Sequence, residues 1–359
     1  MTKKNKVEDV AKLLNHLNIK SLEALTNEVY RLLAEQGAKP SFSSEFDKTS
    51  MAACVHCGSD HFVKNGKDGN GNTRYLCRKC GKTFTALTNT ALSRTRKSID
   101  VWKLYVENLL EGRTLTECAK RCGISLPTAH VWRHKILNAL SEESFDHEYS
   151  GLLEMDEMFV RISYKGNHTK SKNFVMPREA HKRGSDSADA AHSNHSKASV
   201  LCVVERGKRY SAIVPCRGVV SQPLLEKLFK DKLSDDSIVM TDGYYAYKNY
   251  LSTTNAQHIV LKGFGGNAHQ ARVIGPYHIN NVNAMHHRFR DFLRKYNGVS
   301  TKFLSNYLAL FLWQENHRNT DKKELLCDAI STTGTYVSAG QLRHFAPAPD
   351  LAPRPVSAA

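Results

Sequence analysis

Two C-x-x-C pairs, Cys54-Val-His-Cys57 and Cys77-Arg-Lys-Cys80, set the tightest limit on how residues 50–90 can fold. Two residues between thiols let both sulfurs reach one metal from a tight turn, and a second such pair completes a tetrahedral thiolate site. The 19 residues between Cys57 and Cys77 are rich in Gly and Asn and too few to bury a core of their own. They suit a β-hairpin held by the metal, and RKCGKTF has the form of a zinc ribbon's second knuckle. The expectation is a structural Zn²⁺ on Cys54, Cys57, Cys77 and Cys80. Lys64, Lys67, Arg74, Arg78, Lys79 and Lys82 surround that site, which suits contact with DNA phosphates.

The whole chain is basic as well. In 359 residues, 51 Lys and Arg face 35 Asp and Glu, a formal charge of +16, and this points to a polyanion, most often nucleic acid. The start, MTKKNKVEDVAKLLNHL, runs into an amphipathic pattern and not a secretory signal. No apolar run approaches the ~20 residues of a membrane span. Nine cysteines in an intracellular protein are expected to be reduced thiols or metal ligands. A cytoplasmic protein acting at the nucleoid, with no membrane partner, is the resulting expectation.

TLTECAKRCGISLPTAHVWRHKILNAL, residues 114–140, carries two short helical patterns around Gly123, with Ser125 placed to cap the second. This is the helix-turn-helix pattern, whose second helix enters the major groove. Thr128, His130, Arg133, His134 and Lys135 are the expected DNA contacts, and an ordinary helical hairpin is the alternative. Cys118 and Cys122 lie four apart without a second pair nearby, which makes them small core residues.

From residue 150 the texture changes to β-rich runs separated by turns and helices. Asp156 lies within the strand-like LLEMDEMFVRIS, and Asp242 ends the buried run Ile238-Val239-Met240. Between them lie a hairpin turning at Glu205–Lys208 and the helix SQPLLEKLFKDKL; after Asp242 come a helix, a strand and a basic helix opening near Tyr277. A sheet with parallel strands brings both aspartates to its carboxyl edge as neighbours. Paired buried acids favour a divalent cation, and oxygen ligands suit Mg²⁺ or Mn²⁺. Turn or cap duty is the alternative for each Asp. Strand alternation puts Glu154 on the face of Asp156 and Glu157 on the other.

The remaining organisation is an N-terminal helical segment over 1–45, a polar mobile insert over 165–199 within a core spanning 150–317, and a Pro- and Ala-rich disordered tail over 340–359. The helix-turn-helix segment spans 98–142.

Taken together, CVHC, CRKCGKTF, GISLPTAHVWRHKI, EMDEMFV, VMTDGYYAY and HINNVNAMHHRFRDFLRKYNGVSTKFLSNYL resemble a bacterial insertion-sequence transposase of the ISXO-like group. The resemblance covers roughly residues 50–317. It implies a zinc ribbon, a helix-turn-helix segment and an α/β ribonuclease-H-like catalytic core. It makes Asp156 and Asp242 the first two members of a DDE-type triad that cuts and joins double-stranded DNA at element ends. At the third position members with Glu read H-x-N-x-V-E, whereas this chain has His278-Ile279-Asn280-Asn281-Val282-Asn283. Asn283 thus stands as the third metal ligand, with the family's basic residue at Arg290, seven residues on and on the same helix face. Asn283 as a helix-start residue, with Asn280 or Asn281 as ligand, is the alternative. Transposition joins two ends, so at least a dimer on DNA is expected. A ribonuclease-H-like nuclease without joining activity, or a DNA-binding regulator with a defunct core, are the other readings.

Overall fold

The computed structural model describes residues 51–343 except 70, 141–144, 167–196, 262–272, 319 and 332–333. The expected N-terminal helical segment, nearly all of the insert and the tail from 344 onward lie outside the described residues. The chain divides into two compact units, residues 1–133 with 323–336, and residues 134–322 with 337–359.

The first unit begins with a three-stranded antiparallel sheet, β1 (Phe62–Lys67), β2 (Thr73–Cys77) and β3 (Thr83–Phe84), in the order β1-β2-β3. Among the described residues its buried core is Cys54, Cys77 and Phe84, with Phe62 and Tyr75 half-buried against them. Phe62 meets Tyr75 and Phe84 edge-on, with ring centroids 5.4 Å apart in both cases. Three helices follow: α1 (Ile99–Leu110), α2 (Leu115–Arg121) and α3 (Leu126–Ala139). Ser98 caps α1 by accepting from the Val101 N–H, and Thr114 with Glu117 forms a reciprocal capping box on α2. Cys122–Ser125 is the turn between α2 and α3: Gly123 takes φ +58°, and Ser125 Oγ accepts from the Thr128 N–H at 3.3 Å. Trp102 stacks on Trp132 with centroids 3.7 Å apart, and Cys118 and Cys122 are buried, as expected of small core residues.

The end of the chain returns to this unit. The Ala91 N–H donates to the Ile330 carbonyl (3.1 Å) and the Thr335 hydroxyl (3.0 Å), and the Gly334 N–H donates to the Asn89 carbonyl (2.8 Å). Ile330 belongs to α8 (Lys322–Ser331), whose Lys323 pairs with Glu107.

The second unit is built on a five-stranded sheet. Its strands are β4 (Leu152–Arg161), β5 (Lys197–Glu205), β6 (Arg209–Ile213), β7 (Ile238–Thr241) and β8 (Gln257–Val260), in spatial order β6-β5-β4-β7-β8. The first three run antiparallel; β7 and β8 run parallel to β4. The hairpin turns at Arg206–Lys208, closed by the Lys208 N–H on the Glu205 carbonyl at 3.0 Å. Helices α4 (Gln222–Phe229) and α5 (Tyr245–Leu251) connect to and from β7, and their buried Leu225, Phe229, Tyr247 and Tyr250 join Leu153, Leu201 and Val239 in one core. Then come α6 (Asn280–Arg294) and α7 (Leu304–Asn316). Asn316 exchanges two hydrogen bonds with the Tyr210 backbone (2.8 and 3.0 Å), which covers the exposed edge of β6. Three antiparallel strands continued by two parallel ones, with β4 central, form a ribonuclease-H-like core.

Residues 339–343 form a short helix, α9, inside the stretch expected to be tail. Ser338 and Gln341 cap it reciprocally and Leu342 is buried, so local capping and burial order these residues ahead of the Pro- and Ala-rich run. Among the described residues no helix is long and apolar enough to cross a membrane.

Candidate active site and metal centres

Position along β4 dictates the site. The parallel register pairs Leu152 with Ile238, Leu153 with Val239 and Glu154 with Met240. Asp156 lies two residues past the last of these pairs and Asp242 one residue past the end of β7, which brings both to the carboxyl edge, near enough for the Asp242 charge to act on Asp156. Each carboxylate is held on one side by a local backbone donor. Asp156 Oδ1 accepts from the Glu157 N–H and Asp242 Oδ1 from the Tyr244 N–H, both at 2.9 Å. Gly243 makes the Asp242 turn possible with φ +83°. Asp242 therefore does serve in a turn, and its other oxygen remains for a further partner.

Burial, then the nearby Asp242 charge and Glu157, push the Asp156 carboxyl up to about 7. Glu157 faces the opposite side, where its carboxylate accepts from the Val220 N–H at 3.3 Å; burial chiefly, with Asp242 adding, holds it up at about 7 too. Two like charges in a partly desolvated edge favour a proton or a cation between them.

Helix α6 lies along β4. Its first turn is gripped by Glu154, fully buried two residues before Asp156. Glu154 Oε2 accepts from the backbone N–H groups of Asn281 (2.8 Å) and Val282 (3.0 Å). Oε1 accepts from Asn281 Nδ2 and from Arg206 Nε, both at 2.7 Å. One turn on, His286 is buried with Nδ1 3.9 Å from Asp156 Oδ2. Burial and Arg290 push the His286 imidazole down to about 4, so it is neutral at pH 7. Arg290 in turn draws the Asp156 carboxyl downward.

Asn283 sits between these anchors, exposed, at the fourth helical position, with its N–H on the Ile279 carbonyl at 3.1 Å. Among the described residues its side chain has no hydrogen-bond partner. The N-cap position is Ile279, so Asn283 does not cap the helix, and Asn281 is committed to Glu154. Glu154, Arg206 and His286 had no functional reading in the sequence. The usable signal was Glu154 itself, an acid on the inward face of a buried strand, which needs a partner somewhere.

In the first unit, the Sγ atoms of Cys54, Cys57, Cys77 and Cys80 all lie within 4.8 Å of one another. Cys54 and Cys80 are 3.8 Å apart, and Cys57 and Cys77 3.6 Å. Tetrahedral ligation with Zn–S near 2.3 Å requires sulfurs roughly 3.8 Å apart, so this cluster has the dimensions of a tetrathiolate site. The six Lys and Arg around it are exposed.

The expected DNA contacts on α3 need a correction. Arg133 and His134 are 2% exposed and Lys135 9%. The Arg133 guanidinium is drawn inward by the Arg113 carbonyl (2.6 Å) and Cys118 Sγ (3.4 Å), and His134 stacks on Phe303 at 3.9 Å. Helical spacing read these cations as one outward face, whereas the helix buries them. Thr128 and His130 remain half-exposed, beside exposed Ser125, Leu126 and Pro127 at the start of α3.

Residues 148–316 match the family model of the ISXO2-like transposase domain. The likeness lies in the unit that carries the five-stranded sheet with α6 and α7. A relative described as an uncharacterized protein in transposable element ISH50, from Halobacterium salinarum, is 25% identical over 276 residues, covering 76% of this chain and 88% of that protein. Among solved structures, the pre-cleavage Mos1 transpososome is 11% identical with a TM-score of 0.22, covering 65% of this chain and 79% of that one. The Mos1 strand transfer complex is 13% identical with a TM-score of 0.23, covering 66% and 79%. At such scores the superpositions are too loose to inform this site.

Proposed function

We propose that this chain is a transposase that binds the terminal inverted repeats of its insertion sequence and catalyses divalent-metal-dependent DNA cleavage and strand transfer, with Asp156, Asp242 and Asn283 as metal ligands. The observation that carries the reading is that Asp156 and Asp242 come together at the carboxyl edge of the β4–β7 pair, in a core that matches the ISXO2-like transposase model.

The donor set fits Mg²⁺ or Mn²⁺: the ligands are oxygens only, and the Asp156 carboxyl has a proton affinity raised by burial and by its acidic neighbour. A cation bound there supplies Lewis-acid stabilisation of charge on the transferring phosphate. The backbone donors on Asp156 and Asp242 keep one oxygen of each aimed and leave the other for the ion. The Asn283 amide oxygen adds a neutral ligand, which lowers the site's charge relative to one with Glu. Exposed Arg290 suits a DNA phosphate near the reacting centre. Cleavage and joining are then the same kind of exchange at phosphorus: water displaces a DNA hydroxyl in cleavage, and a freed DNA 3′-hydroxyl displaces another in joining.

The four thiolates hold a structural Zn²⁺, and the ribbon's exposed cations contact phosphates without reading sequence. The helix-turn-helix reading narrows to the start of α3, where Thr128 and His130 face solvent, in keeping with recognition helices that contact bases through their N-terminal residues. Pairing of two ends calls for at least a dimer on DNA. The test is a strand-transfer assay with labelled element ends and Mg²⁺. Joined products support the proposal; cleavage without joining supports a nuclease, and binding without either supports a regulator.

A further inference from the structure

Glu154 has no place among the ligands proposed above, yet among the described residues it is the carboxylate that accepts the most hydrogen bonds. It is completely buried and accepts four hydrogen bonds between 2.7 and 3.0 Å. Two come from the first-turn N–H groups of α6, which the helix itself cannot satisfy. The negative charge also meets the positive end of the helix dipole. Arg206, the counter-charge, reaches past Glu154 to the carbonyls of Pro276 (2.6 Å) and His278 (2.9 Å) and to His278 Nδ1 (2.8 Å). The run 276–282 is thereby tied to β4 and to the β5–β6 turn.

A local Ser or Asp at position 279 would cap the helix equally well. The cap instead comes from 127 residues earlier, on the strand that carries Asp156. That choice does more than stabilise a helix: it fixes α6 relative to the strand. The far end is fixed from the same strand's continuation, where Lys165 Nζ donates to the carbonyls of Asn297 (3.0 Å) and Gly298 (2.9 Å). Sliding or turning of α6 along β4 is restrained at both ends, and Asn283 follows Val282 by one residue.

We propose that Glu154 is a positioning residue: held by Arg206, it locks the first turn of α6 so that Asn283 stands at the metal site formed by Asp156 and Asp242. This rests on the metal-site reading of those three residues. Glu154 touches neither metal nor DNA and acts through Asn283.

The test measures Mn²⁺ binding to the full-length protein by electron paramagnetic resonance, without DNA, together with amide hydrogen exchange. Glu154→Gln keeps the volume and loses the charge and one acceptor. Its Mn²⁺ affinity should fall on the order of tenfold, the usual effect of removing a residue that orients a ligand. Exchange at the Asn281 and Val282 amides should quicken while the sheet amides stay protected. In an Asn283→Ala background the same change should cost little more, because both act on one ligand. Full Mn²⁺ affinity in folded Glu154→Gln, or losses that multiply in the double variant, would overturn the proposal. If Glu154→Gln does not fold, Asn281→Ala leaves the Arg206–Glu154 pair in place and should weaken Mn²⁺ severalfold; unchanged affinity there overturns the proposal equally. Absence of Mn²⁺ binding by the unaltered protein would instead overturn the metal-site reading itself.

Discussion

Arg133 donates to the Arg113 carbonyl at 2.6 Å and lies within 3.4 Å of Cys118 Sγ, so a cation of the second helix ties α3 to α2 instead of reaching for DNA. Arg133→Ala should therefore cost about 2–3 kcal/mol of stability through a lost buried hydrogen bond and a cavity. Denaturant unfolding measures this. His130→Ala and Thr128→Ala should leave unfolding unchanged and weaken binding to element ends. An Arg133→Ala protein of normal stability with impaired DNA binding would place that side chain outward after all.

Metal analysis should give one zinc per chain. Cys54→Ser should release it and unfold the ribbon, whose apolar core of Cys54, Cys77 and Phe84 is too small to stand without metal. Cys118→Ala and Cys122→Ala should keep full zinc content, since both thiols are buried among helices. Loss of zinc from either of those two would reassign the ligands.

The Asp156 and Glu157 carboxyls, both held up at about 7, predict how pH acts on the metal-free core. Their folded pKa exceeds the unfolded value near 4, so the native state binds more protons in that window. Their contribution to stability is full below about pH 4 and is lost as pH rises through about 7. Mg²⁺ must displace the Asp156 proton, so its stabilising effect should be larger at pH 8 than at pH 6. Thermal unfolding with and without Mg²⁺ at the two pH values checks this; an equal shift at both would contradict it.

Deleting residues 323–359 should destabilise the first unit, because Ala91 and Gly334 make backbone bonds across that return and Leu326 and Ile330 are buried. A head fragment ending at 145 should unfold at lower denaturant than one carrying 323–336 on a linker. Equal midpoints would show that the return segment is dispensable.

Much of the core was legible because its signals are local. The thiol pairs carry their own spacing, and Asp242 is marked by the buried run before it and Gly243 after it. The succession of strands and helices along the chain followed from turn residues and runs such as Ile238-Val239-Met240. The Glu154–Asn281 contact was not legible, since nothing local links positions 127 apart. The inward turn of Arg133 was missed for a related reason: helical spacing gives a face but not what covers it, and here a carbonyl and the Cys118 thiol drew the cation in.

The central claim is that Asp156 and Asp242 perform the chemistry while other elements bind DNA. The most direct measurement compares the unaltered protein with Asp156→Ala and Asp242→Ala in a labelled-end assay with Mg²⁺, reading binding, cleavage and strand transfer from the same samples. Each variant should bind element ends as the unaltered protein does and yield no cleaved or joined product. Cleavage persisting in either variant would contradict the account.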